Sequence, residues 1–324
     1  MAASVAPRQS RLVGWLGLIT AAGMWVVLIA GDTVTSTGSQ TGCGPDWPLC
    51  RGRFIPTFAF NTAVEYTHRV LAAGETILVV ALVLCLLRLY WRRVAARVLS
   101  VLLIGSLFLQ AGMGAWAVLR PQDAVVLALH FGISLIAVAA AMLAAFAARW
   151  PATSLSARPV GRGVAIATWA AMAYLYVLVY SGAYISHAAA AAACPGWPLC
   201  GPQGAGGWDQ AIDLIHRSAA AGGLIVAAGL LLVYLRFAAG RRDLITGAAV
   251  FVASVLAEGA AGAYLVMDRW QLTGELIHAG VTAFAFSALS YLCFRVSLGR
   301  AAARHREGLD GPRLESGPVG SQAG

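Results

Sequence analysis

The chain has 324 residues, of which 59% are hydrophobic and only 11% charged, with a formal net charge of +9. Soluble domains average about 25% charged residues, so this composition excludes a water-soluble enzyme, a disordered chain and a disulfide-knit secreted miniprotein. All 23 basic residues are Arg and sit between apolar runs, which assigns the positive excess to a membrane surface rather than to nucleic acid.

The apolar runs occupy residues 12–31, 66–90, 98–119, 124–148, 163–187, 211–236, 245–267 and 271–297. Each is long enough to cross a bilayer, and backbone in lipid must satisfy its own hydrogen bonds, so each is predicted to be a helix. The expected fold class is an all-α integral membrane protein with eight transmembrane helices. The first run lacks a small-residue cleavage site and is taken as a span. Arg88, Arg92, Arg93 and Arg97 lie between spans 2 and 3. Arg149, Arg158 and Arg162 lie between spans 4 and 5, Arg236, Arg241 and Arg242 between spans 6 and 7, and Arg295, Arg300, Arg304 and Arg306 at the end. The opposite loops hold Arg51, Arg53, Arg120 and Arg269, so the positive-inside rule predicts that both termini are cytoplasmic. The expected division is a tail over 1–11, an N-terminal half over 12–150, a linker over 151–162, a C-terminal half over 163–298 and a disordered Gly-, Pro- and charge-rich tail over 299–324.

The halves repeat. Glu65-Tyr-Thr-His68-Arg69-Val-Leu-Ala72-Ala73-Gly74 aligns with Asp213-Leu-Ile-His216-Arg217-Ser-Ala-Ala220-Ala221-Gly222 at an offset of 148 residues (216 − 68). The same offset takes His130 to His278, Gln110 to Glu258, Gly114 to Gly262 and Trp116 to Tyr264. Upstream, Cys43-Gly-Pro-Asp-Trp47-Pro48-Leu49-Cys50 matches Cys194-Pro-Gly-Trp197-Pro198-Leu199-Cys200. Four spans per half insert both halves the same way up, and the expected architecture is two parallel-repeat four-helix bundles.

His68, His130, His216 and His278 lie inside spans, each a turn or two from the outer end. Ionisable residues inside a membrane are costly and mark function by default. One such His alone is more often a core residue bonded to a neighbouring helix. Four of them, paired within each half and matched in depth, point to bis-histidine heme ligation, whereas zinc lacks further ligands at metal spacing. His187 replaces Ser36 in the repeat and His305 lies in the tail; neither is a candidate ligand.

Glu65 precedes His68 by three residues and shares its helix face. It is either a chemical group or the closing member of a capping box, Thr62-Ala-Val-Glu65. Asp213 takes the matching place. Arg69 and Arg217 follow the first His of each half, where they either meet heme propionates or snorkel to the headgroups. Glu275 precedes His278 but is matched by the apolar Leu127, so the two sites are not equivalent. Glu75 and Glu258 lie deeper and are expected to hydrogen-bond within the bundle. A disulfide within each outer loop, Cys43–Cys50 and Cys194–Cys200, is the simplest use of those cysteines. A redox relay, or a lid over a heme edge carrying Trp47 and Trp197, is the functional alternative. Cys85 and Cys293 read as core thiols.

Together these residues resemble the heme A synthases: Glu65-x-x-His68-Arg69, His130, the Cys43–Cys50 loop, Cys194 and Cys200, His216-Arg217 and His278, a likeness covering residues 12–298. The resemblance implies a multi-pass protein of the bacterial plasma membrane that oxidises a ring methyl of heme O to a formyl group through a hydroxymethyl intermediate. It implies that His216 and His278 ligate a heme b cofactor, that His68 and His130 face the substrate heme, and that Glu65 stands near the reacting methyl. The implied partners are heme O synthase, an electron-transfer partner and membrane lipid. A homo-oligomer is compatible with small-residue stretches such as Gly112-Met-Gly114-Ala115.

Two imidazoles on one iron leave no open position for oxygen. The expected chemistry is therefore stepwise electron removal from the substrate, with the electron-poor methyl carbon stabilised by Glu65 and captured by water. Two rivals from other classes are a di-heme b-type electron-transfer protein and a transporter. Paired Gly/Pro interruptions at mid-membrane, which transporters often show, are not evident.

Overall fold

The computed structural model describes residues 6–57, 59–119, 123–149, 159–188 and 190–309, with backbone alone over 300–309. The elements are α1 (Pro7–Ser36), α2 (Phe60–Tyr90), α3 (Val94–Leu119), α4 (Ala124–Arg149), α5 (Arg162–His187), a short 3₁₀ turn (Ala190–Ala193), α6 (Gly207–Phe237), α7 (Arg242–Met267) and α8 (Leu272–Leu309). Among the described residues, eight helices are long and apolar enough to cross a membrane, so the eight apolar runs are the eight helices. Large apolar side chains such as Ile77, Val101, Phe108 and Ile225 stand more than 70% exposed on their flanks. Hydrocarbon accepts such a surface; water does not.

The helices overrun the apolar runs where their first turns are polar. Helix α2 starts at Phe60 rather than 66 and takes in Asn61, Thr62 and Glu65; α6 starts at Gly207 rather than 211 and takes in Asp209 and Gln210. At the other end α8 continues to Leu309, past the boundary expected at 298. Its last turns read Arg300-Ala-Ala-Ala-Arg-His-Arg-Glu307, all but the His strong helix formers. Residues 310–324 of the expected tail, 151–158 of the linker and Arg120 lie outside the described residues.

Helix α1 packs on α2 and α4, and α3 packs on the same two, closing one circuit; α5 and α7 likewise close a second with α6 and α8. The circuits join where α4 meets α5 and α8, and where α1 meets α8. Helix α4 serves both sides because its buried residues are small: Ala137, Ala139, Ala140, Ala141, Ala144, Ala145, Ala147 and Ala148 let backbones approach closely. Val79, Leu82, Leu86, Leu99 and Leu103 fill the first core. Leu230, Tyr234, Leu244, Phe251, Leu289 and Leu292 fill the second, which runs on into Leu28, Leu135 and Val138 of the first circuit. At the end opposite the Cys loops, Arg241 and Arg295 converge on Asp243, each at 2.8 Å. That cluster tethers α8 to the start of α7.

Candidate functional site

Both Cys pairs form disulfides, Cys43–Cys50 and Cys194–Cys200. Each loop folds back onto the helix that follows it, where an acid and an arginine one turn apart clasp it. In the first loop Glu65 Oε2 accepts the Cys43 backbone N–H at 2.8 Å and Oε1 accepts Arg69 Nη2 at 2.6 Å, while Arg69 Nη1 donates to Leu49 O at 2.6 Å. In the second, Arg217 donates to both oxygens of Asp213 at 3.1 and 2.9 Å and to the carbonyls of Cys194 at 2.7 Å and Gly196 at 2.5 Å. Glu65 and Asp213 are each only 3% exposed. A buried charge must be paired, and the i,i+4 spacing supplies the partner within one helix.

This geometry overturns two sequence alternatives. Glu65 is not a cap: the N-cap of α2 is Ala59, which makes no side-chain bond, and Thr62 Oγ1 donates across to Gly42 O at 2.9 Å. Nor do Arg69 and Arg217 snorkel, since their side chains are 14% and 9% exposed and engaged with the loops. The clasps also differ. Glutamate is one methylene longer, so its carboxylate bridges arginine and loop backbone, whereas the Asp213 carboxylate spends both oxygens on Arg217.

Each intramembrane histidine lies against a glycine of an adjacent helix. A Cβ on Gly182 would stand 2.7 Å from His216 Cε1, one on Gly31 3.0 Å from His68 Cε1, one on Gly262 3.3 Å from His278 Cε1 and one on Gly114 3.8 Å from His130 Cε1. The first forces the ring to shift, and the second is a tight contact that the ring must yield to by a few tenths of an ångström. His68 and His130 are near enough to interact electrostatically, as are His216 and His278. The second pair opens on a mostly apolar cavity of about 460 Å³, lined also by Gly182, Gly262, Arg217 and Trp197. That volume falls in the range of small-molecule and cofactor pockets. Trp197 is half exposed at the rim, with the Arg217 guanidinium 5.8 Å from its ring.

These residues fit a heme. The imidazoles of His216 and His278, on separate helices, face one mostly apolar cavity, and glycines lie beside all four rings. Among the described residues no group of three or more His, Cys, Asp or Glu is arranged to hold a bare metal ion.

The family model described as cytochrome oxidase assembly protein matches residues 55–290. A heme A synthase from Symbiobacterium thermophilum is 36% identical over 297 residues, covering 86% of this chain and 94% of the relative. Heme A synthases from an Exiguobacterium species and from Bacillus pumilus are 33% and 32% identical, covering 95% and 87% of this chain and 99% and 94% of theirs. The chain belongs to the heme A synthase family.

Against a heme A synthase background, the site gathers residues the sequence reading did not name (Asp32, Ser181 and Thr282) and others it named without placing them together (His187, Glu258 and Glu275). Asp32, His187 and Glu275 all reach the cavity of the second pair, although Asp32 belongs to the first half. Their convergence depends on α1 packing against α8, which no periodicity reveals. Ser181 stands 2.9 Å from His216 Nδ1, and Thr282 Oγ1 bonds to Glu258 Oε1, which in turn lies 3.2 Å from His278 Nδ1. The only available signal was the repeat, which pairs Glu258 with Gln110. Glu75 is also buried in α2, packed against Gly23, with its Oε1 unpartnered. Cys293 is a buried thiol and Cys85 a half-buried one.

Proposed function

We propose that the protein is an oxidoreductase that converts a ring methyl of heme O into a formyl group, giving heme A for terminal oxidases. The observation that carries this reading is the pairing of two histidine couples with a single bridging carboxylate, Glu65, one helical turn before His68. His216 and His278 hold a resident heme b, and His68 and His130 hold the substrate. When bound, the bis-histidine heme b supplies one-electron transfer.

The chain's own groups do the rest. Glu65 is fixed by Arg69 and by the Cys43 N–H, so its charge is preorganised rather than recruited. It stabilises the methyl carbon as electrons leave and water attacks. The methyl group and one water give the hydroxymethyl group, two protons and two electrons. A second round gives the hydrate, which loses water to become the aldehyde. The electrons pass to an electron-transfer partner, and heme O synthase supplies the substrate. Arg69 and Arg217, at the rim beside the loops, offer cations for propionates. The Arg-rich helix ends opposite the disulfide loops support cytoplasmic termini and heme sites toward the outer face.

The test is chemical. The full chain is expressed in a bacterium supplied with heme O synthase but lacking its own heme A, and the extracted hemes are separated by chromatography and mass. Heme A or its hydroxymethyl precursor is expected. Bound heme b with heme O unchanged transfers the assignment to a di-heme b-type electron carrier. Glu65→Gln should retain heme and lose turnover; full activity in that variant sinks the role given to Glu65.

A further inference from the structure

We infer that Ser181 and Glu258 are positioning residues that make the second half a permanent heme holder, and that their replacement by Ala30 and Gln110 leaves the first half able to exchange its heme. This rests on the assignment of heme b to His216 and His278.

The register is set by the repeat. Upstream of the Cys loops the offset is 151 residues (194 − 43), which pairs Gly31 with Gly182, Ala30 with Ser181 and Val27 with Leu178. Downstream the offset of 148 pairs Gln110 with Glu258 and Ser134 with Thr282. The histidines, their glycines and the hydroxyl one turn beyond the second histidine are therefore shared. What stands behind the imidazoles is not.

In the second half Ser181 Oγ donates its single proton to Leu178 O at 2.7 Å, so toward His216 Nδ1, 2.9 Å away, it accepts. Nδ1 must then carry the ring proton, which leaves Nε2 free of hydrogen and available to iron. Behind His278, Glu258 Oε1 lies 3.2 Å from Nδ1, in ion-pair range though not aligned as a hydrogen bond. Thr282 Oγ1 lies within hydrogen-bond reach of that same oxygen and, at 2.9 Å, of His278 O, so its single proton serves one of the two while its position places Glu258 beside the helix that carries the ligand.

In the first half neither anchor is present as a side chain. Ala30 has no acceptor, and His68 Nδ1 is buried without a hydrogen-bond partner, its ring facing the Val27 carbonyl out of alignment. Gln110 is turned the other way: its Nε2 donates to His130 O at 2.9 Å and to Ser134 Oγ at 2.5 Å, leaving Oε1 buried and unpaired and His130 Nδ1 without a partner. Flipping the amide would set Oε1 against the His130 carbonyl, so the donor orientation is fixed by the network.

Partners of this kind fix the ring and raise the basicity of the ligand, and their loss typically costs 10–100-fold in metal affinity. An imidazole without one must be ordered at the moment of binding. A resident cofactor calls for the first arrangement. A site that admits heme O and releases heme A calls for the second.

The experiment follows heme transfer from the purified full-length protein to apomyoglobin by absorbance, with low-temperature EPR of the bound heme as a second readout. Ser181→Ala combined with Glu258→Gln is expected to speed heme b loss roughly 10–100-fold and to shift the EPR signal, while Ser181→Thr, which keeps the hydroxyl, stays near wild type. The reciprocal pair, Ala30→Ser with Gln110→Glu, is expected to slow loss of heme O from the first half, a gain of hold that misfolding cannot mimic. Unchanged loss rates in both pairs, with His216→Ala still emptying heme b, overturn the inference and leave the assignment of halves intact. Retention of heme b in His216→Ala with its loss in His68→Ala overturns the assignment, and the inference with it.

Discussion

The two halves of this protein place the same four features at the loop end of each bundle: a disulfide loop, an acid–arginine clasp, a histidine pair and glycines that admit the rings. They part company in a handful of atoms. The first clasp has a glutamate that reaches loop backbone; the second has an aspartate that does not. Behind the second histidine pair stand two polar side chains, Ser181 bonded to His216 and Glu258 3.2 Å from His278, whereas His68 faces the Val27 backbone carbonyl and His130 Nδ1 has no partner. The two halves thus carry the same histidine and glycine pattern, and the second pair opens on a cavity. On the proposed division of labour, a few side-chain differences, Glu65 for Asp213, Ser181 for Ala30 and Glu258 for Gln110, separate the half that does chemistry from the half that keeps its heme.

The largest expected effects come from removing the histidines. His216→Ala and His278→Ala are each expected to abolish heme b in the purified protein, whereas His68→Ala and His130→Ala are expected to keep it and lose turnover. Absorbance of the reduced protein, read beside heme A yield, separates the two. Equal heme b loss from both halves would end the division of labour proposed here.

Next in size is the exchange of acids. Glu65→Asp keeps a carboxylate opposite Arg69 but draws it back from the Cys43 N–H, and turnover should fall by about tenfold or more, in line with the loss of one preorganised contact. Asp213→Asn instead leaves Arg217 buried without its counter-charge. Breaking a buried pair costs about 3–5 kcal/mol, so this variant should melt earlier while the protein that remains folded keeps most of its turnover. Thermal unfolding and activity per folded molecule, measured on both variants, should move in opposite proportion.

The glycines beside the rings are expected to differ between the halves as well. A methyl at Gly182 would stand 2.7 Å from the His216 ring, but at Gly114 it would stand 3.8 Å from the His130 ring, an ordinary contact. Gly182→Ala should therefore displace His216, at a cost of about 1–3 kcal/mol for overpacking, and loosen heme b. Gly114→Ala should be silent in both heme content and yield. A silent Gly182→Ala would show that the ring has room the geometry denies it.

Much of this was legible in the sequence, because membrane spans, an internal repeat and buried histidines leave periodic or compositional marks. The spans emerge from apolar runs, and the four histidines and both Cys loops emerge from matched offsets. The first turns of α2 and α6 did not, since they are polar and hydropathy stops at the last apolar residue. The clasps were invisible because they require each loop to fold back on the helix that follows it. Ser181 was missed for another reason: serines in helices commonly bond back to their own backbone, as Ser181 does to Leu178, and nothing local says that the oxygen also faces a histidine. Asp32, His187 and Glu275 meet only because α1 and α5 pack beside α8, and packing between helices far apart in sequence leaves no local trace.

The smallest expected difference concerns the disulfides. Closing rings this short stabilises by about 2–3 kcal/mol in the chain-entropy model, so replacing either pair with serines should lower the melting temperature by similar amounts. Function should not respond equally. In the first loop the N–H that orients Glu65 belongs to Cys43 itself, so opening that ring loosens the donor and with it the carboxylate. In the second loop Arg217 still grips Asp213 and the carbonyls of Cys194 and Gly196, and Ser181 and Glu258 still stand beside His216 and His278. Cys43→Ser with Cys50→Ser should therefore cost several-fold in heme A yield beyond its effect on folding, while Cys194→Ser with Cys200→Ser should leave heme b content near wild type. If both pairs lower yield only in proportion to the folded fraction, the loops are struts alone, and the tie between the first disulfide and the reacting carboxylate has no functional weight.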